Sequence, residues 1–317
     1  GRARIDAERL VAVRLGERGR IPGIVHRSLD DEPEITRAED ASRNLAALID
    51  VAVGDVEAGF RQADIIVENE YRVPRIQHCS LETHVAVGNL DEDRRLVMRT
   101  STQVPFHTRR QMAAALQVPE GRIRLIKPRI GGGFGGKQEM VIEDITGALT
   151  LATERPVMVE LSRREEFTQG RSRHAQVLWM KTGAMKDGRL VANELRVVAD
   201  TGGYGGHAMT VQANTGAHPL PLYPAENIRF HCEVAYTNLP AAGAMRGYGT
   251  PQGIFAVELQ MDEMAERLGM DPLEYRMKTC IKKDQDDPIS RVLSEGKAAA
   301  RRILDDGLEE AMRRGSE

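Results

Sequence analysis

Cysteine is scarce in this 317-residue chain: Cys79, Cys232 and Cys280 lie far apart, and no CxxC pair occurs. A structural zinc site needs closely spaced thiols or histidines, and an iron–sulfur cluster normally takes four thiolates, so this chain alone carries neither; buried free thiols are expected instead. The histidines are equally dispersed. His78 and His84 lie six apart, which is neither one face of a helix nor a finger spacing, so no protein metal cage is expected. Charge of one sign is also lacking. A net charge of −3 gives no bulk attraction to nucleic acid or to an anionic membrane. No apolar run approaches the ~18 residues of a membrane span. The opening "RARIDAERLVAVRLGERGR" carries charges throughout, where a signal peptide is apolar, and a cytoplasmic chain is the expectation. The first residue is Gly1 rather than Met, as in a trimmed chain or a piece of a longer one.

What is present suits a folded protein. With 41% hydrophobic and 29% charged residues, the chain can bury a core of one large domain or two modest ones. Residues 1–50, with their mixture of Pro, Asp, Glu and Arg, read as an extended arm or linker. Residues 51–285 form the main domain. Residues 286–317 read as a charged helical tail whose apolar stripe is Ile303, Leu304, Leu308 and Met312. Within the main domain, "IIVENEYRV", "HVAVGNL", "RLVMRTST", "RIRLIKP", "RPVMVELSR" and "IRFHCEVAY" read as strands. "AQVLWMKTGAMKDGRLVANELRVVAD" is a hairpin turning at "KDG". "VPFHTRRQMAAALQV" reads as a helix with Phe106, Met112 and Leu116 on one side, and Val141, Ile142, Ile145, Ala148, Leu149 and Ala152 recur at helical spacing. A long helix carries Ile254, Val257, Met261, Met264 and Leu268 and stops at Gly269; Asp271 and Pro272 then open another. Strands with interspersed helices and hairpin signals predict an α+β (mixed α/β) fold rather than a clean doubly wound sheet.

The stretch "GGGFGGKQ" at residues 131–138 sits between a strand and a helix. Gly131, Gly136 and Lys137 fall where a Walker A loop wants them, but Gln138 replaces the Ser or Thr that would hold magnesium. Glycines at this density before a helix would present backbone N–H groups and a helix N-terminus to one anion. Phe134 either anchors the loop in the core or projects into a pocket. Three further stretches combine polar side chains with strand ends. "RIQHCSLETHVAV" crowds Gln77, His78, Glu82, Thr83 and His84, which mutual hydrogen bonding could pin at a strand crossing. "STQ" closes a strand at Gln103, and "AGAMRGYGTPQG" places Arg246 and Tyr248 on a glycine-rich turn. Four such loops at strand ends suggest one shared cleft.

In this order, "LETH", "STQ", "GGGFGGK" and "TNLP" followed by "RGYGTPQG" resemble the molybdenum-cofactor subunit of the xanthine dehydrogenase and aldehyde oxidase family, over about residues 55–280. The resemblance implies the first half of that family's molybdopterin-binding domain. It also implies hydroxylation of a heteroaromatic or aldehyde substrate with water as the oxygen source. Cofactor contacts would come from Gln103, Gly132, Gly133, Phe134, Gly135 and Arg246, the metal being held through the pterin dithiolene rather than by side chains. Gln103 and Arg246 would serve catalysis, and Gln138, Asn214, Arg246 and Tyr248 would face the substrate. Iron–sulfur and FAD chains, and a second molybdopterin-binding half with the catalytic Glu, are the implied partners; the cofactor would be molybdopterin, the cytosine dinucleotide form included.

Two departures stand out. Purine-oxidising members commonly have Glu where this chain has Gln138 and Arg where it has Asn214, which turns the expectation toward a nicotinate-like ring or an aldehyde. Met245 stands in a loop unlike the cysteine-bearing one of the carbon-monoxide branch. Two other readings remain open at this point: a P-loop-like nucleotide-binding protein, and a non-catalytic subunit of the same fold.

Overall fold

The computed structural model describes residues 39–40, 43–293, 299–305 and 307–317. Two sheets organise the chain. The larger is built from β1 (Leu45–Val53), β2 (Ile65–Val73), β7 (Gln176–Ala184), β8 (Leu190–Gly202) and β9 (Asn227–Tyr236), in the order β1-β9-β8-β7-β2. All its pairs are antiparallel except β8 with β9. The smaller joins β3 (Val85–Leu90), β4 (Leu96–Thr100), β5 (Ile123–Ile126) and β6 (Val157–Glu160) in the order β5-β4-β3-β6, with β4 and β5 parallel. The mixed α/β expectation holds. β1 begins at Leu45, inside the stretch read as an arm; residues 1–38 and 41–42 of that stretch lie outside the described residues.

Local chemistry explains the helices. Asp55 caps α1 (Val56–Gln62) by accepting from the Ala58 amide at 2.9 Å. Pro105 opens α2 (Pro105–Leu116), where its missing N–H is no loss. α3 (Glu143–Thr153) and α4 (Arg163–Gln169) follow, the latter with a full capping box between Ser162 and Glu165. α5 (Ala208–Ala217) leads to the long α6 (Thr250–Leu268), ended by Gly269 at φ +67°, and Asp271 caps α7 (Pro272–Thr279). α6 lies on β2 and β7, and its Met261, Met264 and Ala265 join Leu178, Met180, Leu195, Val197 and Phe230 in the main core. Each such large apolar side chain contributes about 1.5–3 kcal/mol by leaving water.

The helix-period pattern misjudged two faces. α3 starts at Glu143, two residues later than the apolar spacing suggests, and it turns Ile145, Ala148, Leu149 and Ala152 outward; Thr146, Gly147 and Thr150 face the sheet. A Cβ on Gly147 would stand 2.8 Å from Leu116 Cδ1, so α3 approaches α2 too closely for a larger residue there. On α2, Met112 is buried while Phe106 is exposed. The described tail is only partly helical: α8 (Ser290–Leu293) and α9 (Gly307–Gly315) are helices, whereas residues 299–305 are not, and Arg302 forms an isolated antiparallel β-bridge with Asp286. Met312 packs on the main core, whereas Leu304 is exposed.

Candidate active site

Loops from both sheets meet at one place. From the smaller sheet come the end of β4, residues 101–103, and the glycine loop after β5; from the larger come the segment after β9, residues 237–249, and the end of β8. The Arg246 amide donates to the Phe134 carbonyl at 2.8 Å, and the Gln103 amide donates to the Lys137 carbonyl at 2.8 Å, so backbone ties join all three loops. Between them lies a cavity of about 220 Å³, lined by Gln103, Phe134, Gly135 and Gln138 on one side and by Met245, Arg246 and Tyr248 among others on the opposite side.

Gln103 organises the glycine loop. Its carboxamide oxygen accepts the amides of Gly135 at 2.9 Å and Lys137 at 3.3 Å, which leaves its NH2 without a protein acceptor among the described residues. A Cβ on Gly133 would sit 2.5 Å from that oxygen, and one on Gly135, at φ +101°, would sit 2.7 Å from the Ala244 carbonyl oxygen. The close approach of both loops therefore requires glycine. The amides of Gly131, Gly135, Gly136, Lys137 and Gln138 are taken by protein acceptors. Those of Gly132, Gly133 and Phe134 meet none among the described residues. Phe134 is 49% exposed at φ +50° and serves as cavity wall rather than core anchor.

The expected helix-terminus cradle is not formed. The Glu143 carboxylate closes the start of α3, accepting from the amides of Val141 and Ile142 at 3.0 and 3.2 Å and from the Thr100 hydroxyl at 2.8 Å. A carboxylate already satisfies that end, and an anion has no place beside it. Lys137 is equally committed. It is 2% exposed and its ammonium meets Glu82 Oε2 at 2.6 Å, so the Walker-like lysine cannot reach a phosphate.

"QHCSLETH" is the clamp behind the loops. Glu82 Oε2 also accepts the Gly131 amide at 2.9 Å; burial opposes its ionisation, but Lys137 and Gly131 hold its carboxyl below the ordinary carboxylate value. His84, buried, places Nδ1 2.8 Å from Glu166 Oε1 and Nε2 3.1 Å from the Gly136 carbonyl oxygen. His78 reaches across to the Ala244 carbonyl at 2.7 Å through Nε2, and burial lowers its pKa below the usual histidine value. Arg173 supports the other wall: one guanidinium nitrogen donates to Gln252 Oε1 at 2.8 Å and another to the Arg246 carbonyl at 2.7 Å, while burial lowers its pKa. Glu166 and Arg173 carried no motif. Their partners lie 82 and 73 residues away, and no local pattern encodes a pairing at that range.

The cavity thus gathers Gln103, Phe134, Gly135, Gln138, Arg246 and Tyr248, with Gly132 and Gly133 beside Gln103 and Phe134. Asn214, half-buried on α5, is not among its lining residues. A profile of the family described as "Molybdopterin cofactor-binding domain" matches residues 38–280. The chain belongs to that family. It is similar to the "Probable hypoxanthine oxidase XdhD" of Escherichia coli (strain K12), 40% identical over 277 residues that are 87% of this chain and 29% of the relative. It is also similar to the "Nicotinate dehydrogenase large molybdopterin subunit" of Eubacterium barkeri, 36% identical over 78% of this chain and 57% of that protein. Among solved structures, the aldehyde oxidoreductase of Desulfovibrio gigas superposes with a TM-score of 0.79 at 26% identity, covering 86% of this chain and 29% of that one. The chain therefore spans less than a third of the hypoxanthine oxidase it resembles. No helix among the described residues is long and apolar enough to cross a membrane, and no group of His, Cys, Asp and Glu is placed to hold a metal ion. The residues fit an anionic, pterin-borne cofactor: the cavity offers two carboxamides and the Arg246 guanidinium, no acidic side chain lines it, and unpaired loop amides stand next to it.

Proposed function

We propose that this chain supplies the first cofactor-binding half of a molybdenum hydroxylase that oxidises a heteroaromatic ring or an aldehyde. The observation that carries the reading is the union of three loops, two by Gln103 and the third by the Arg246 amide on the Phe134 carbonyl, which fixes a carboxamide donor, free loop amides and an aromatic wall around one cavity without a carboxylate. The molybdenum cofactor, when bound, supplies the oxidising centre, with water as the source of the oxygen atom.

Gln103 holds the glycine loop through its oxygen and turns its NH2 toward the cofactor as a fixed donor, stabilising charge where it develops without reorganisation. The amides of Gly132, Gly133 and Phe134 and the turn at Gly135 receive the pterin side. Phe134 keeps water from one wall of the cavity. Arg246, exposed in the chain by itself, offers a planar fork to a substrate carbonyl or carboxylate, and Tyr248 stacks on a ring. Gln138 faces the substrate as a neutral carboxamide, and Asn214 does so in the assembled enzyme; neutral groups at both positions favour a nicotinate-like ring or an aldehyde over a purine. A base is still required to take the proton released as the oxygen nucleophile attacks, and we assign it to a second molybdopterin-binding half. Iron–sulfur and FAD chains complete electron transfer, the cofactor being molybdopterin or its cytosine dinucleotide. The free thiols of Cys79 and Cys280 suit a cytoplasmic, reducing location.

The decisive experiment is to co-express the chain with its neighbouring reading frames, purify the complex, and assay molybdenum, pterin and hydroxylation of heteroaromatic and aldehyde substrates. Stoichiometric molybdenum and pterin with turnover is the expected result. A complete, active complex devoid of both would overturn the proposal. A nucleotide-binding role is disfavoured by the burial of Lys137 against Glu82.

A further inference from the structure

Tyr248 is aimed by a backbone of unusual shape and fastened at its far end. Gly247, Tyr248 and Gly249 lie at φ +85°, +49° and +95°, three left-handed residues in a row, of which only the glycines adopt that region without cost. A turn of this kind points the ring but does not hold it. The hydroxyl is held by the start of α5: it hydrogen-bonds His207 Nδ1 and, at 2.7 Å, Thr210 Oγ1. The two rings also meet edge to face, with centroids 5.4 Å apart and planes at 86°. His207 is itself held in a left-handed conformation, at φ +55°. Its Nε2 stands 3.4 Å from Glu139 Oε1, and Glu139 directly follows the cavity-lining Gln138.

We infer that His207 is the positioning residue for Tyr248, and that the set Tyr248, His207 and Glu139 locks the aromatic wall of the substrate cavity. The chemistry assigns the protons. With Nε2–H directed at the Glu139 carboxylate, Nδ1 is the acceptor for the Tyr248 hydroxyl, and the Thr210 hydroxyl donates to the phenol oxygen. The charged and titratable groups facing His207 are Glu139 from the exit of the glycine loop, Arg171 from the segment before β7, and His107 from α2. Arg171 Nε lies 2.7 Å from Glu139 Oε2, so that carboxylate is anchored on both sides. Burial lowers the His207 pKa, which favours the neutral ring this arrangement needs, and burial together with Glu139 raises that of Tyr248.

The inference rests on the reading of Tyr248 as a stacking wall, and its test separates the two. In the assembled, molybdenum-loaded enzyme, His207→Ala is expected to raise KM for a ring substrate about fivefold, which is about 1 kcal/mol, with kcat unchanged within about twofold. KM for a small aliphatic aldehyde, which offers no ring to stack, should not move. His207→Gln, whose carboxamide oxygen accepts the phenol proton, should restore most of the loss. In a Tyr248→Phe background His207→Ala should add nothing, because the two side chains act as one unit. A readout independent of turnover is the phenolate difference absorbance of Tyr248, with Tyr248→Phe as the blank: its titration should move toward the ordinary tyrosine value in His207→Ala and stay in place in His207→Gln. An unchanged phenol titration in His207→Ala overturns the anchor, whatever the enzyme oxidises. A shifted titration with no change in KM for the ring substrate overturns instead the role of Tyr248 as a substrate wall.

Discussion

Gln103 accepts the Gly135 amide at 2.9 Å through its carboxamide oxygen, and this bond joins the end of β4 to a glycine loop 32 residues further along the chain. The same oxygen takes the Lys137 amide, so the loop cannot move without Gln103. A carboxamide has two ends. One is structural here, and the other is the donor proposed for the cofactor.

Substitutions at Gln103 separate those ends. Gln103→Ala removes both: turnover of the assembled enzyme should fall by about 10²–10³-fold, as for a lost preorganised donor, and unfolding in urea should show a loss of about 1–3 kcal/mol from the unpaired loop amides. Gln103→Glu keeps an acceptor for Gly135 and Lys137 but no NH2, so its stability should stay near the parent's while its rate falls like that of the alanine variant. Parent-like rates in both variants would exclude a donor role.

Gly135→Ala tests the approach of the two loops. The added methyl meets the Ala244 carbonyl at 2.7 Å and is placed on a residue at φ +101°. A loss of about 1–3 kcal/mol is expected by chemical denaturation, together with reduced molybdenum content. Gly121→Ala, whose Cβ would meet nothing within 4 Å, is the control and should lie within about 0.5 kcal/mol of the parent.

The pair of His84 and Glu166 holds the Gly136 carbonyl from behind. Both side chains are buried, at 2.8 Å, so Glu166→Ala leaves His84 and its amide without their acceptor and should cost about 3–5 kcal/mol in a urea titration. Burial opposes ionisation of Glu166, but its bonds to His84 prevail and hold the carboxyl below its ordinary value of 4.5. Its contribution is therefore present above that value and disappears as pH falls below it.

His174 sets a second acid-sensitive step. Burial pushes its pKa down to about 4 from 6.5, while its Nδ1 contacts the Asp200 carbonyl oxygen at 3.0 Å. The unfolded chain binds the proton more readily. Stability should accordingly decline as pH falls from 6.5 toward 4, by up to about 3 kcal/mol in total. Urea midpoints measured across that window should give a shallower slope for His174→Gln than for the parent; equal slopes would exclude this group as the cause.

Much of the architecture was legible one segment at a time. Alternation marked β2 and β3, "KDG" marked the β7–β8 turn with Gly188 at φ +89°, and Asp271 before Pro272 marked the start of α7. These signals are local, because turn and cap geometry depends on neighbouring residues. The apolar period failed on α3: Ile145 and Leu149 repeat at helical spacing, yet the face that meets the sheet is set by Gly147, which admits α2 closely. Periodicity reports that a helix has an apolar stripe, not which stripe is covered.

The sequence by itself determined which residue types crowd each loop, and their order along the chain was enough to suggest the family. Only the tertiary structure decided their employment: that Lys137 is spent on Glu82, that Glu143 closes the helix terminus once expected to hold an anion, and that His207 reaches Tyr248 across 41 residues. The reason is physical. A glycine loop is free to take many shapes, and the one it adopts is selected by distant side chains whose hydrogen bonds form only after both sheets have brought their ends together.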